Sequence, residues 1–265
     1  MNQVYRKSAD EVKTNARIRW LPDANGIYQP YELVAFERPT FLPDGWETSG
    51  CKKSRSVVTD ELDEDGTQSA DNRRKSYNRA RNKLFDLLMC TTAFDSFVTL
   101  TFDAAQIDRY DYNEVVRRVG TWLDNRVRRN GLVYALVPEL HKDGAVHMHG
   151  LVNGCALRTE RARSAKSGRL LYDKSGRPIY NVCDFALGYT TLIPLSGDNA
   201  RIAAAKYCYK YITKTHGDKV GGRYYLSGGD LGRPRYTYVD VDYDMVDGVE
   251  YIIGEGVARV KKCKL

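Results

Sequence analysis

Two histidines stand two residues apart in the segment VPELHKDGAVHMHG, which spans residues 137–150. On a β-strand, side chains at positions i and i+2 share a face, so His147 and His149 would lie about 6–7 Å apart on one side. Two imidazoles at this spacing can bind a single divalent cation. His141 precedes the strand, and we interpret it as a turn residue rather than a ligand.

A carboxylate lies eight residues before the first of these histidines. If residues 142–145 form a hairpin turn, Glu139 ends one strand and lies beside the strand that carries the histidines. One carboxylate and two imidazoles leave coordination positions open for water or a phosphate oxygen, which suits Mg²⁺ or Mn²⁺ acting as a Lewis acid. We therefore predict that Glu139, His147 and His149 bind a metal, although the same donors also accept Zn²⁺.

Tyrosines and lysines alternate in KYCYKYITK, which spans residues 206–214. Tyr207 and Tyr211 are one helical turn apart, as are Lys210 and Lys214, so each pair lies on one face of a helix. A free phenol has a pKa of about 10, and nearby ammonium groups favour its nucleophilic phenolate. The pattern predicts tyrosine attack on a phosphodiester, with the lysines offsetting phosphate charge. An aromatic stripe packed in a core would show the same spacing.

Strands and helices alternate around these two segments. Apolar alternation predicts strands at 97–102, 132–140, 146–152 and 189–195, with further candidates at 223–226, 236–243 and 250–260. Helical periodicity predicts helices from Asn72 to about residue 88, from Asn113 to Asn130 and from about Asp198 to Lys214. Since strands come singly and in pairs between the helices, we predict an α+β fold with a central antiparallel sheet and flanking helices.

The chain divides by composition into two parts. Residues 1–70 are predicted to form an N-terminal accessory segment that ends in a polar, acidic connector at 48–72. Residues 71–265 are predicted to form the main domain, with an exposed hairpin inserted at about 158–182.

The composition points to a globular protein with an anionic partner. Its 265 residues carry a net charge of +7 and 19 tyrosines, which favours nucleic acid or an acidic membrane, although a solvated basic surface would look the same. The sequence has no signal-peptide core and no stretch of membrane-spanning length. We expect a cytoplasmic protein with reduced thiols, because none of its six cysteines forms a CxxC pair. It also lacks the GxxxxGK[ST] motif of P-loop motors.

The order of FVTLTF, HMH and YxxKYxxK over roughly residues 75–230 resembles the three motifs of HUH-superfamily rolling-circle replication initiators. The sequence is most similar to the initiators of filamentous phages and related plasmid-like elements. The resemblance implies an HUH endonuclease with a ferredoxin/RRM-like core in a bacterial cytoplasm. It also implies Mg²⁺ or Mn²⁺ as cofactor, and origin DNA, a host helicase and a host polymerase as partners.

The activity implied is site-specific nicking that leaves a 5′-phosphotyrosine and a free 3′-hydroxyl, followed by strand joining at termination. Carried over by motif, Glu139, His147 and His149 are the metal ligands. Tyr207 is the preferred nucleophile, because Tyr207–Lys210 fits the YxxK pattern. Tyr211 fits the same pattern with Lys214 and is the second nucleophile if two are used.

Other functions remain compatible with these motifs. A relaxase or transposase would use the same chemistry, and a repressor on the same fold would bind DNA without forming an adduct. A metal hydrolase with activated water would release free 5′-phosphate ends and would not need Tyr207. A purely structural metal site is disfavoured, because closed sites usually contain four Cys or His ligands.

Overall fold

The structure, a computed structural model, describes residues 13–23, 25–41, 70–214, 218–253 and 258–265. These residues divide into two compact units, a larger one of residues 70–233 and a smaller one that combines residues 13–41 with 234–265. The described ranges contain three α-helices and twelve strands in two antiparallel sheets, which confirms the predicted α+β fold. Most of the predicted connector at 48–72 lies outside the described residues.

In chain order, the elements are β1 (Ala16–Pro22), β2 (Tyr28–Phe36), α1 (Ala70–Cys90), β3 (Ser96–Phe102), α2 (Tyr112–Asn130), β4 (Tyr134–Leu140), β5 (Val146–Val152), β6 (Thr159–Arg161), β7 (Tyr180–Val182), β8 (Gly188–Pro194), α3 (Asp198–Lys214), β9 (Leu226–Gly228), β10 (Arg235–Val239), β11 (Val249–Ile253) and β12 (Ala258–Lys264). The larger unit holds a seven-stranded sheet in the order β6-β7-β8-β3-β5-β4-β9, together with all three of these helices. The smaller unit holds a five-stranded sheet in the order β10-β1-β2-β12-β11.

Helices pack on both faces of the larger sheet. On one face α2 buries Val115, Val119 and Leu123 against Leu100 and Met148. On the other face α1 and α3 pack against β4 and β5 through a second apolar cluster. Its buried side chains are Leu84, Leu88, Phe94, Val133, Ala135, Val137, Leu151, Ala205, Cys208, Tyr211 and Ile212.

Local signals placed the ends of α2 correctly. The Asp111 side chain accepts a hydrogen bond of 3.0 Å from the backbone N–H of Glu114 at the first turn. Gly131 ends the helix in a left-handed conformation with φ of 68°, and its N–H bonds back to the carbonyls of Arg126 and Val127. The helix therefore ends at Asn130, the end that the sequence predicted.

Three predicted strands differ from the observed ones. The candidate at 236–243 is shorter, because β10 ends at Val239. The candidate strand at 223–226 is displaced, since β9 begins only at Leu226. The candidate strand at 250–260 is two strands, β11 and β12, which pair with each other in antiparallel fashion. The predicted insertion at 158–182 has β6 near its start and β7 at its end, and these two strands pair in antiparallel fashion.

The smaller unit differs from the predicted domain division. The sequence placed residues 234–265 with the main domain, but β10 pairs with β1 and β12 pairs with β2. The Asn15 side chain joins the same segments, since it donates to the carbonyl of Val241 and accepts from its N–H at 2.8 and 2.9 Å. Pairing across such a sequence separation has no local signature, so composition did not reveal it.

In the described ranges, no helix is long and apolar enough to cross a membrane. The cysteines of those ranges are free thiols, among them Cys90 and Cys208 in the core of the larger unit.

Candidate functional site

Two neighbouring strands, β4 and β5, bring the predicted ligands onto one face of the larger sheet. The turn at residues 142–144 joins β4 to β5 as predicted, and Glu139 then lies directly opposite His147. Both histidines share the side of β5 that faces α3 with Leu151 of the α1/α3 cluster, whereas Met148 faces α2. Gly150 lets the strands approach, because a Cβ at that position would lie 2.0 Å from the carbonyl oxygen of Ala135.

Glu139 and His149 are the two predicted ligands in direct contact. The Glu139 Oε2 and the His149 Nε2 are 3.1 Å apart, and both side chains are largely buried. Two donors bound to one cation at about 2.1 Å, at angles of about 90–110°, are themselves about 3.0–3.4 Å apart. The spacing of this pair therefore fits two adjacent ligands of one divalent ion, as well as a direct hydrogen bond.

His147 is on the same face but is not turned towards the other two ligands. Its ring lies 6.5 Å from the His149 ring and stacks on His141, with 3.6 Å between the ring centroids. Across the described residues, no group of three or more His, Cys, Asp or Glu side chains is arranged to hold one metal ion. His147 would complete a triad with Glu139 and His149 only after its ring leaves His141.

The environment of His147 keeps its imidazole neutral. Burial lowers its pKa from 6.5 to about 4, and the neighbouring His141 and His149 act in the same direction. A metal ligand must offer a nitrogen lone pair, so a histidine that stays unprotonated at pH 7 suits that role.

Strand β3 orients both histidines through its two inward threonines. Thr99 lies opposite His149 and Thr101 lies opposite His147 in the antiparallel register. The threonine hydroxyls are 3.0 and 3.2 Å from the Nδ1 atoms of His149 and His147, respectively. When each Nδ1–H donates to its threonine, each Nε2 carries the lone pair that a cation requires.

We expect Thr99→Val and Thr101→Val to weaken Mn²⁺ binding by about 10-fold each, because each removes the hydroxyl that fixes a histidine tautomer while nearly keeping its shape. Isothermal titration calorimetry measures the affinity, and ¹⁵N NMR of the imidazoles with bound Zn²⁺ reports the tautomer. Thr191→Val is the matched control, since Thr191 lies on the adjacent strand β8 and is exposed. Unchanged affinity and tautomer in both site variants would contradict this role.

The predicted tyrosines lie on α3 next to His149. The Tyr211 ring stacks on the His149 ring with 4.5 Å between centroids and an angle of 13° between their planes. The Tyr211 hydroxyl donates a hydrogen bond to the Tyr207 hydroxyl. The Phe97 ring of β3 lies near both Tyr207 and His149, at 5.6 and 6.2 Å. The two phenols therefore adjoin the Glu139–His149 pair.

The two tyrosines differ in exposure. Tyr207 is 50% exposed, whereas Tyr211 is 5% exposed. Burial, together with the hydrogen bond to Tyr207, raises the pKa of Tyr211 well above its ordinary value. A substrate can thus reach the Tyr207 hydroxyl, while Tyr211 stays a protonated donor behind it.

Helix α1 holds α3 in position through the third tyrosine of the segment. Tyr209 points away from the site, as helical spacing predicted, and its hydroxyl accepts a hydrogen bond from Arg81. The Phe85 ring packs edge-on against Tyr209, and the Tyr77 hydroxyl donates to the carbonyl of Ile212 at 3.2 Å. These contacts fix the rotation of α3 and so direct Tyr207 and Tyr211 to the sheet.

The lysines of the segment are placed only in part. Lys210 is exposed on α3, one helical turn after Tyr207. Lys214 ends α3, and its side chain lies outside the described part of the structure.

Sequence reasoning missed the roles of Thr99, Thr101 and Phe97. We interpreted FVTLTF as a strand and as one of three family motifs, without roles for its side chains, although its three inward positions all contact the site. The available signal was the alternation itself, because pairing this strand antiparallel to the HMH strand sets threonines opposite histidines.

The fold and the site together define an α+β domain whose antiparallel sheet carries an imidazole–carboxylate pair against a helix that bears two tyrosines. Residues 95–216, a little under half of the chain, match the family of replication-associated proteins that is described by ORF2 and the gene II protein of filamentous phages. The matched stretch extends from β3 to the end of α3, so it contains the predicted ligands and the two tyrosines. No curated protein and no solved structure gives a significant match to the chain.

Proposed function

We propose that this protein initiates replication by nicking origin DNA through tyrosine transesterification, and that it rejoins the strands at termination. One observation carries the proposal: the hydroxyls of Tyr207 and Tyr211 adjoin the Glu139–His149 pair on a single sheet face. The family match supports a role in replication, with DNA as the partner, over conjugation or transposition.

Tyr207 is the nucleophile in this proposal, because the residue is 50% exposed and its hydroxyl receives a hydrogen bond from Tyr211. Its Oη forms a bond to the phosphorus, and the bond between phosphorus and the 3′ oxygen breaks. The phenol proton passes overall to that oxygen, so the products are a 5′-phosphotyrosine and a free 3′-hydroxyl.

Tyr211 acts through Tyr207. A donated hydrogen bond stabilises negative charge on the Tyr207 oxygen as it attacks, and the stacking on His149 fixes the Tyr211 ring. Its 5% exposure makes it poorly placed to receive a second phosphodiester. We therefore assign Tyr211 as a positioning residue for the first nucleophile.

Glu139 and His149 would hold the divalent cation, Mg²⁺ or Mn²⁺, with His147 as the third ligand. When bound, such an ion would supply Lewis acidity to a phosphate oxygen. Thr99 and Thr101 orient the imidazoles, and Lys210 adds positive charge one turn from the attacking hydroxyl. A contribution from Lys214 stays a prediction of the sequence.

The covalent intermediate explains how one site both opens and closes a strand. A phosphotyrosine retains the phosphate ester, so attack by a 3′-hydroxyl reverses the reaction and releases the tyrosine. The free 3′-hydroxyl can be extended by a host polymerase. A host helicase is the partner that we propose for strand separation, since the sequence has no P-loop motif.

The test incubates the wild-type protein with single-stranded origin DNA and Mn²⁺, followed by a denaturing gel and mass spectrometry. Trypsin separates Tyr207–Lys210 from Tyr211–Lys214, because lysines stand at 206, 210 and 214. We expect a denaturation-resistant adduct, with the nucleotide on the peptide that contains Tyr207. Cleavage that yields free 5′-phosphate without an adduct would indicate a water-activating hydrolase. Binding without cleavage would indicate a repressor.

A further inference from the structure

A groove of about 680 Å³ lies at the β9 edge of the larger sheet. Neither Tyr207 and Tyr211 nor the histidines of the candidate site line it. Residues of α1 and α2 line it, together with the segment that leads into β9. We call it the edge groove. Its lining includes Lys83, Gly120, Tyr134, Lys219, Arg223 and Tyr224.

The edge groove is strongly basic. Its lining side chains, taken from the described residues, include four cations and the carboxylate of Asp124, and one of these cations, Arg117, is paired with Glu114. Lys83, Lys219 and Arg223 are exposed and come from two different segments of the chain. Like charges that converge on a concave surface attract an anion, and their mutual repulsion falls when one binds.

Aromatic rings accompany these charges. The Lys219 ammonium lies 5.4 Å from the centre of the Tyr224 ring, and Tyr77 packs against the same ring at 5.8 Å. Burial raises the pKa of Tyr134 to about 12, so its phenol is neutral and adds no negative charge to the groove. Cations interleaved with tyrosine rings are typical of grooves that track a single nucleic-acid strand.

The groove also has unfilled space along α2. A Cβ added at Gly120 would meet nothing within 4 Å, and the same holds at Gly222. A ligand can therefore lie close to the helix backbone at Gly120.

Strand β4 connects the edge groove with the candidate site. Tyr134 begins this strand, and Glu139 lies five residues later, a distance of about 17 Å along an extended chain. The two side chains point to opposite faces of the sheet, since Tyr134 belongs to the core cluster formed with α2. The groove is therefore separate from Glu139 and from the tyrosines of the candidate site. A single nucleic-acid strand that extends from that site could nevertheless reach it.

We propose that the edge groove binds single-stranded DNA next to the cleaved phosphodiester, with Lys83, Lys219 and Arg223 contacting phosphates and Tyr224 stacking on a base. The identification of this DNA as origin DNA that is held for nicking rests on the proposed function. Binding of a single strand in the groove is supported independently by its cations, its tyrosine rings and the open space at Gly120.

The first test compares two double variants of equal charge change, Lys219→Ala/Arg223→Ala in the groove and Arg128→Ala/Arg129→Ala in the last turn of α2. Fluorescence anisotropy without divalent cations measures affinity across a salt series. One single-stranded oligonucleotide is limited to the cleaved site, and a longer one extends beyond it. We expect the groove variant to bind the longer strand roughly ten-fold more weakly, with a salt slope lower by about 1.4.

The short oligonucleotide should bind both variants equally well. Equal losses in the two double variants, or no loss in either, would overturn the proposal. A loss confined to duplex DNA would also overturn it, because the groove would then hold a double helix.

A second test does not depend on removing side chains. Gly120→Glu and Gly120→Arg both fill the open space, and both replace a residue that is unfavourable in helix interiors. We expect the Glu variant to bind the longer strand more weakly and the Arg variant to bind it more tightly, with thermal midpoints no lower than wild type. Equal affinity changes of the same sign would count against phosphate binding in the groove.

The outcomes for the groove and for the proposed chemistry are separable. Groove variants should form the covalent adduct on the short oligonucleotide at the wild-type level with Mn²⁺. If the wild type forms no adduct, the proposed nicking fails, while the salt slopes still decide whether the groove binds DNA.

Discussion

We expect Tyr207→Phe to abolish the covalent protein–DNA adduct and Tyr211→Phe to form it still at Tyr207, about 10-fold more slowly. Phenylalanine at 207 removes the attacking oxygen, and loss of a nucleophile costs at least about 10³-fold in rate. At 211 it removes only the hydrogen bond donated to Tyr207, whose contribution of about 1.4 kcal/mol corresponds to that smaller factor. Single-turnover assays with labelled origin DNA, resolved on denaturing gels, measure both rates.

Tyr209→Phe is the matched control for this pair. It lies on the same helix and loses the hydrogen bond from Arg81, but it packs against Phe85 away from the site. We expect a small loss of stability and a near wild-type rate of adduct formation. An adduct that persists in Tyr207→Phe and vanishes in Tyr211→Phe would exchange the two roles.

The second large effect that we expect is the loss of nicking when the histidine ligands are removed. The double variant His147→Ala/His149→Ala should lose Mn²⁺-dependent nicking by at least about 10³-fold and retain most of its DNA affinity, because the imidazoles do not supply the phosphate contacts. Among single variants, His149→Ala should bind Mn²⁺ more weakly than His147→Ala. His149 contacts Glu139 directly, whereas His147 must first leave His141.

His141→Ala tests the assignment of His147 as the third metal ligand and of His141 as a turn residue. His141 stacks on His147, so its removal leaves the predicted ligands in place and frees the His147 ring to turn. Calorimetry with Mn²⁺ should give an affinity equal to or above that of wild type. A loss as large as that of His147→Ala would mean that His141 also contributes to metal binding and would contradict its assignment as a turn residue.

Much of the site was readable from spacing. The HMH segment predicted β5 at its observed bounds, and the turn at residues 142–144 made the pairing of Glu139 with the histidine strand foreseeable. The helical interval predicted that Tyr207 and Tyr211 share a face. It did not predict which of them is buried, because that depends on how α1 rotates α3 through contacts with Tyr209 and Ile212.

What the sequence missed depends on contacts between distant segments. The threonines of β3 orient histidines about 50 positions later only because of one antiparallel register, and a shift of one residue would turn them to the other face. The edge groove likewise needs Lys83 and Arg223 to meet across the fold. Patterns within a window of 10 to 20 residues, roughly the reach of periodicity arguments, carry no such information.

The split smaller unit sets an order of events during synthesis. Strands β1 and β2 leave the ribosome first, yet β10 and β12 follow only after roughly 200 further residues, about 10–40 s at typical rates. Until then β1 and β2 form a lone hairpin, which is marginally stable in water. Among the described residues, the sheet of the larger unit takes no strand from outside residues 70–233, so this unit can fold while the hairpin of β1 and β2 still waits. Strands β1 and β2 therefore belong to the unit that is completed later, although they are made before the larger unit.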